Sequence, residues 1–438
     1  TIQTISKQEV YQSFPKNYFD EIIIDEVHRA GAESYLRVMD YFKPTFYLGM
    51  TASPDRTDSF NIYELFNNNI VYEVRLKEAM ENDLLCPFHY FGISDLEIDG
   101  QPIDELSDFS KLYSAKRVTH IIDRINYYGY SGNRVKGLVF CSSKQEAKAL
   151  SDEFNKRGFK TTSLTGEDSQ ERREREVERL VADSGDILDY IFTVDIFNEG
   201  VDIPEVNQVV MLRPTQSAIV FIQQLGRGLR KSKDKDFVVI IDFIANYKNN
   251  FLIPVALSGD NSYDKDTVRK FLSQGTRYLP GTSTIHFDEI SKQRIYSAID
   301  NVKLNTWIFI ATEYSKLKNK LGRIPTYYDF ENYDALDIKK IFEVAGSYYT
   351  FLTKKERQFK YKGQLSKTAE NMLNFVSTNL ILSKKIEELQ ILSLLLNGDM
   401  KNIEGQFKDI MLAEYNKFIA DYELEVSKKI LTNNFVTS

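Results

Sequence analysis

Short, unbroken apolar runs constrain this chain more than any other feature. Glu21–Ile24 ends in Asp25-Glu26, Thr45–Met50 reads TFYLGM, and Gly137–Cys141 reads GLVFC. Tyr190–Val194, Gln208–Leu212 and Phe237–Asp242 are of the same kind, and Lys160–Leu164 reads as one more strand. A strand wetted on one face alternates apolar with polar residues. A run without alternation is expected of a strand covered on both faces, as in a parallel sheet. Between the runs, Ala32–Tyr41, Ala115–Tyr127, Ser143–Arg157 and Ser169–Val181 carry helical spacing, and Gly158 is a natural stop for the third of these. Strands alternating with helices imply right-handed crossovers and a mostly parallel sheet. Two such units in series imply two α/β lobes.

The character changes after Tyr247. Pro254, Gly259, Gly275, Pro280 and Gly281 make 249–281 read as an irregular connector. From Ser283 the chain is rich in Tyr, Phe and Lys and reads as helical. Ser291–Lys320 includes the single tryptophan, Trp307, on a helical pattern. Thr326 with Asp329 resembles a capping box with Asp in place of Glu. The expected division is a first lobe over 1–90, a linker over 91–112, a second lobe over 113–247, a connector over 248–282 and a mainly helical domain over 283–438.

With 438 residues, 42% of them hydrophobic and 27% charged, the chain can bury more than one core. The same composition excludes a disordered or disulfide-stapled class. Cys86 and Cys141 are the two cysteines and fit a reducing, cytoplasmic setting. No apolar run approaches the roughly 18 residues of a membrane span, and no secretory signal pattern opens the chain. The net charge of -7 means that a nucleic acid would have to be met by a local basic groove.

Four motifs carry chemistry. Asp25 and Glu26 stand at the end of a buried strand, where α/β sheets bind ligands. There an Asp can hold Mg²⁺ and a Glu can orient a water. A helix N-cap explains the pair equally well. Thr51-Ala52-Ser53-Pro54 follows the next strand and could be a hydroxyl network or a plain turn. Glu199-Gly200-Val201-Asp202 is a loop able to touch phosphate and ribose, or a turn. In Gln223 to Arg230, Arg227 and Arg230 lie three apart on one helix face. Gly226 and Gly228 each weaken that helix by up to about 1 kcal/mol, which favours close approach to a ligand over a surface patch.

In this order across two lobes, the motifs resemble those of the superfamily 2 helicases and translocases. Asp25-Glu26-Val27-His28 is similar to motif II, Thr51-Ala52-Ser53 to motif III and Val139-Phe140-Cys141-Ser142 to motif IV. Glu199-Gly200-Val201-Asp202 is similar to motif V, and Gln223 to Arg230 to motif VI. The flavour is that of the XPB-like and restriction-motor branches. The later part resembles bacterial DEAD/DEAH-type helicases with a C-terminal domain of unknown function (DUF3427-like).

The resemblance implies two RecA-like lobes, ATP and Mg²⁺ as cofactors, and movement on nucleic acid, with DNA favoured over RNA. It implies Mg²⁺ at Asp25, water activation by Glu26, and γ-phosphate contacts from Gln223, Arg227 and Arg230. Gly200 and Asp202 would meet the nucleotide. His28, Thr51 and Ser53 would couple it to the nucleic-acid groove, whose backbone would be touched by Ser142, Thr165, Gly166 and Thr193. A nuclease domain or subunit is the further partner implied, and no membrane.

One departure stands out. The family needs a phosphate-cradling loop ending Gly-Lys-Ser/Thr, and no such triplet occurs in the chain. Thr1–Lys7 resembles the segment just ahead of motif II, and residue 1 is not Met. The expectation is a first lobe truncated at its N-terminal side and a chain inactive by itself. The alternatives are a double-stranded DNA translocase that does not unwind and serves a nuclease or defence system, and a non-catalytic nucleic-acid-binding module.

Other candidates have plainer readings. Cys86 and His89 are too few for a structural metal site. The charges of Ser169–Val181 fit a solvated face. Trp307 reads as core, while Lys316, Lys318, Lys320 and Arg323 are held open as a phosphate surface.

Overall fold

The computed structural model describes every residue except 1, 28–29, 52–59, 75, 99–100, 103–113, 195–202, 214–225, 227–228, 246, 260–261, 275–280, 303–305, 334, 381–385, 397–401, 416 and 433–438. The chain divides into two compact units, Thr1–Val302 and Lys303–Ser438.

In the first unit, β1 (Glu21–Ile24) and β2 (Phe46–Gly49) pair in parallel with Ile22 opposite Tyr47. Helix Glu33–Tyr41 connects them. The larger sheet takes β3 (Phe88–Ser94) and then, past a two-residue antiparallel pair of β4 (Glu97–Ile98) and β5 (Gln101–Pro102), five more strands. These are β6 (Gly137–Phe140), β7 (Thr161–Leu164), β8 (Tyr190–Thr193), β9 (Gln208–Met211) and β10 (Val238–Ile244). With β11 (Thr284–Phe287) the order is β11-β3-β10-β9-β6-β8-β7, every pairing parallel.

The apolar runs become central strands because both faces are covered. Along β10, Val238, Ile240 and Ile244 enter one core, and Val239, Ile241 and Phe243 the other. Helices Ala115–Tyr128 and Lys144–Lys156 close the second face with Val118, Ile121, Ile125, Ala147, Leu150 and Phe154. Helices on the first face contribute Leu180, Val268, Phe271, Leu272, Ile295 and Ile299. Alternation of side chains across a strand sends neighbours to opposite cores. The RecA-like α/β architecture expected for the second lobe is the one observed.

Two details differ from expectation. The stretch read as an irregular connector holds helices Leu252–Ser258 and Lys265–Gln274. Pro254 is tolerated in the first turn, where its missing N–H has no partner to lose, and Gly259 ends that helix in the left-handed region (φ 71°). Gly and Pro thus mark helix ends here, not disorder of pattern. Strands β3 and β11 join the same sheet from either side of the presumed lobe, so the expected boundary at residue 90 falls inside β3. β3 escapes a simple run criterion because His89 and Gly92 interrupt it. Gly92 is required there, since a Cβ would lie 2.4 Å from the Phe287 ring of β11.

The second unit is helical from Trp307–Leu321 to Asp421–Thr432. It has one core around Tyr314, Phe342 and Phe351, and another around Phe407 and Met411. Trp307 packs on Phe351 at 5.0 Å between centroids, as the core reading has it. Asp329 accepts from the Thr326 N–H at 2.6 Å, closing the expected capping box.

Candidate functional site

Parallel strands all deliver their C-terminal ends to one edge, and polar residues placed there share that edge. Asp25 and Glu26 follow β1, with Asp25 exposed and Glu26 half-buried. Asp25 Oδ1 accepts the Glu26 N–H at 2.8 Å. Glu26 has φ 49°, a left-handed conformation disfavoured for a residue with a Cβ. The turn is held from both sides, as Val27 N–H donates to Met50 O and Met50 N–H to Ile24 O, each at 2.9 Å. That bracing brings the half-buried Thr51, just beyond β2, beside the acidic pair's strand. Held strain of this kind, costing about 1–3 kcal/mol, gathers at functional sites.

On the larger sheet, Phe140, Leu164 and Thr193 share one register row. Ser142, Thr165, Gly166 and Thr193 therefore stand at neighbouring strand ends. Lys144 and Glu167, paired at 2.6 Å, tie the first two loops together.

The donors of Ser142 and Thr165 are already engaged. Ser142 gives its N–H (2.8 Å) and its hydroxyl (2.6 Å) to Glu146 Oε2. Thr165 gives its N–H to Asp168 at 2.7 Å and its hydroxyl to the same oxygen at a longer 3.3 Å. Gly166 is exposed. Thr193 is fully buried, and its hydroxyl finds no partner among the described residues.

Arg230 is exposed beyond Leu229, whose carbonyl accepts the Cys86 N–H at 2.7 Å. His28, Ser53, Gly200, Asp202, Gln223 and Arg227 lie outside the described residues. The structure thus gathers one set at β1 and β2 and another at β6, β7 and β8. Among the described residues, no three His, Cys, Asp or Glu side chains converge as a metal cluster.

Behind Ser142 lies a network that sequence reading passed over. Arg117 donates from Nη2 to Asp95 (2.8 Å) and from Nη1 to Glu146 Oε1 (2.8 Å), all three side chains being at most 1% exposed. Burial opposes the Arg117 charge, but the two carboxylates outweigh it and hold its pKa above the ordinary value. A signal was present. Arg117 lies on the stripe of Ile121 and Ile125, and Glu146 on that of Leu150 and Phe154, so each places a charge on a core-facing helix face. A second buried pair joins Tyr90 and Asp242, whose hydroxyl and carboxylate meet at 2.6 Å. Burial pushes the Asp242 pKa up to about 7, against the lowering effect of the Tyr90 bond.

Three family models match the chain in order. Type III restriction enzyme, res subunit, covers residues 1–56. The helicase conserved C-terminal domain covers 116–232. A domain of unknown function, DUF8090, covers 310–438, where the sequence reading expected a DUF3427-like one. IRC3 of Saccharomyces cerevisiae, named as a candidate ATP-dependent helicase, is 26% identical over 56% of this chain and 36% of its own length. The type I restriction enzyme EcoAI endonuclease subunit of Escherichia coli is 24% identical over 54% of this chain and 33% of its own. Among solved structures, the chain is similar to the ATP-dependent type ISP restriction-modification enzyme LlaBIII bound to DNA. That similarity has 16% identity and a TM-score of 0.46, over 99% of this chain and 31% of that one. The chain spans a third to a half of the length of the first curated relatives it matches. By these matches the chain is similar to the superfamily 2 helicases, on the restriction-motor-like side of that family.

Proposed function

We propose that this chain is the motor portion of a nucleic-acid-dependent ATPase that moves on DNA. One observation carries the reading: the described candidate residues Asp25, Glu26, Thr51, Ser142, Thr165, Gly166 and Thr193 all stand at the C-terminal ends of parallel strands. The exposed Asp25 carboxylate is a hard oxygen donor suited to Mg²⁺. When bound, ATP with Mg²⁺ supplies the phosphoryl group and neutralises its charge. Asp25 would hold the cation, and Glu26, fixed by its braced turn, would orient the attacking water. By the motif resemblance, Gln223, Arg227 and Arg230 would serve the γ-phosphate, and Gly200 and Asp202 the nucleotide. His28, Thr51 and Ser53 pass the nucleotide state to the nucleic-acid groove.

For the backbone contacts, the engaged donors favour Thr165 and Gly166. The 3.3 Å hydroxyl bond of Thr165 is the easiest to redirect to a phosphate, while Ser142 shapes the loop. The restriction-enzyme relative favours DNA and a nuclease partner. Hydrolysis is proposed for the full-length protein, not for these 438 residues alone, in which no Gly-Lys-Ser/Thr occurs.

The test is DNA-stimulated, Mg²⁺-dependent ATPase activity of the full-length protein. Glu26→Gln is expected to lower kcat at least a hundredfold with folding unchanged, and Arg230→Ala to lower it too. An ATPase indifferent to Glu26→Gln overturns the assignment. Strand displacement beside triplex displacement separates unwinding from translocation on duplex DNA. Absence of any ATPase in the full-length protein would favour the non-catalytic binding module.

A further inference from the structure

The second unit carries a strongly cationic exposed segment. Residues 354–367 hold six Lys or Arg and a single acid, Glu356, in a chain whose net charge is -7. Glu356 is spent internally: one oxygen accepts the Tyr314 hydroxyl at 2.9 Å and the other pairs with Lys318 at 2.6 Å. The turn that follows is tied by Lys362 N–H to Phe359 O (3.1 Å) and Gln364 N–H to Tyr361 O (3.2 Å). All of 360–368 is exposed. At its tip Tyr361, 51% exposed, sits between Lys360 and Lys362, with its ring edge on Phe359. Lys360 Nζ lies 5.4 Å from the Tyr361 ring centre.

The contrast with the nearby helix is instructive. There Lys316 pairs with Glu313, Lys318 with Glu356 and Arg323 with Asp329, and Lys320 lies over the Tyr333 ring. The cations held open at the start are committed inside the fold. No described acid pairs with Lys355, Arg357, Lys360 or Lys362. Clustered cations with an exposed aromatic ring match what a single strand requires: phosphate neutralisation and a face for one base.

We propose that the 354–367 segment binds the backbone of single-stranded DNA, with Tyr361 stacking on a base. The proposal rests on the nucleic-acid partner of the preceding section and assigns it a second contact, outside the motor motifs.

The test is fluorescence anisotropy of the 438-residue chain with a labelled single-stranded oligonucleotide, without ATP, over a salt series. Combined Lys355→Ala, Lys360→Ala and Lys362→Ala is expected to weaken binding at least tenfold. The slope of log affinity against log salt should become shallower by roughly 2, at about 0.7 per lost phosphate contact. Arginine at the same three positions should retain binding. Tyr361→Ala should cost about fivefold or more on single strands, with the salt slope unchanged. An unchanged affinity and slope in the triple variant, its thermal midpoint matching the parent, overturns the proposal. Equal loss on duplex and single strands in Tyr361→Ala overturns the stacking role. Loss of ATPase in the full-length Glu26→Gln variant with this binding intact tests the motor reading separately.

Discussion

The same kind of sequence meets two surroundings in this molecule. In β6, Leu138, Val139 and Phe140 are all at most 1% exposed, sealed by helices on both faces. In the β1–β2 pair, Ile23 is 59% and Phe46 48% exposed. An apolar run therefore records the burial a strand is suited to, while the burial it has depends on what covers it. The chemistry divides along the same line. The β1 turn carries exposed acid and backbone strain at Glu26, whereas the large sheet hides its charges in a closed network behind Ser142. A ligand can reach the first directly; the second shapes a loop from beneath.

The sharpest way to break this comparison is Arg117→Ala. It strands Asp95 and Glu146 in the core, and removal of one partner from a buried ion network costs about 3–5 kcal/mol. Urea denaturation followed in the first unit should show it, and a loss below about 1 kcal/mol would mean that water reaches the site. Phe140→Ala, from the sealed strand, should cost about 3–5 kcal/mol.

Asp242 offers a pH readout of the same burial. Its folded pKa, raised to about 7, lies above the ordinary carboxyl value near 4. The folded chain then keeps a proton that the unfolded chain releases. Its stabilising contribution is full below about pH 4 and is lost as pH rises toward 7. Asp242→Asn should flatten that decline across the window, measured by thermal midpoint against pH. An unaltered profile would show that the carboxyl titrates normally. The smallest effect is expected at Ile23→Ala, below about 1 kcal/mol, since most of that side chain is already in water. A cost comparable with Phe140→Ala would erase the distinction between the two sheets.

Much of the large sheet was legible in advance. GLVFC, the runs at 190–194 and 208–212, and the helices between them are local patterns, and local pattern specifies which faces must be covered. The order of motifs was legible for the same reason, because strand ends are where loops emerge. The Arg117 network was missed although its signal was there, since a lone charge on an apolar helix face has meaning only with its partners. Those partners, Asp95 and Glu146, are 22 and 29 residues away.

The amino-acid order by itself determined the strands and helices of 115–244, the capping box at Thr326 and the motif resemblance, all written within a few residues of one another. Tertiary structure alone decided that β3 and β11 complete the sheet, that Glu146 occupies both donors of Ser142, and that Lys316, Lys318 and Arg323 meet acids while no described acid pairs with Lys355, Arg357, Lys360 or Lys362. Each of these depends on which distant residue arrives as neighbour, and a one-dimensional pattern specifies the need for a partner without naming it.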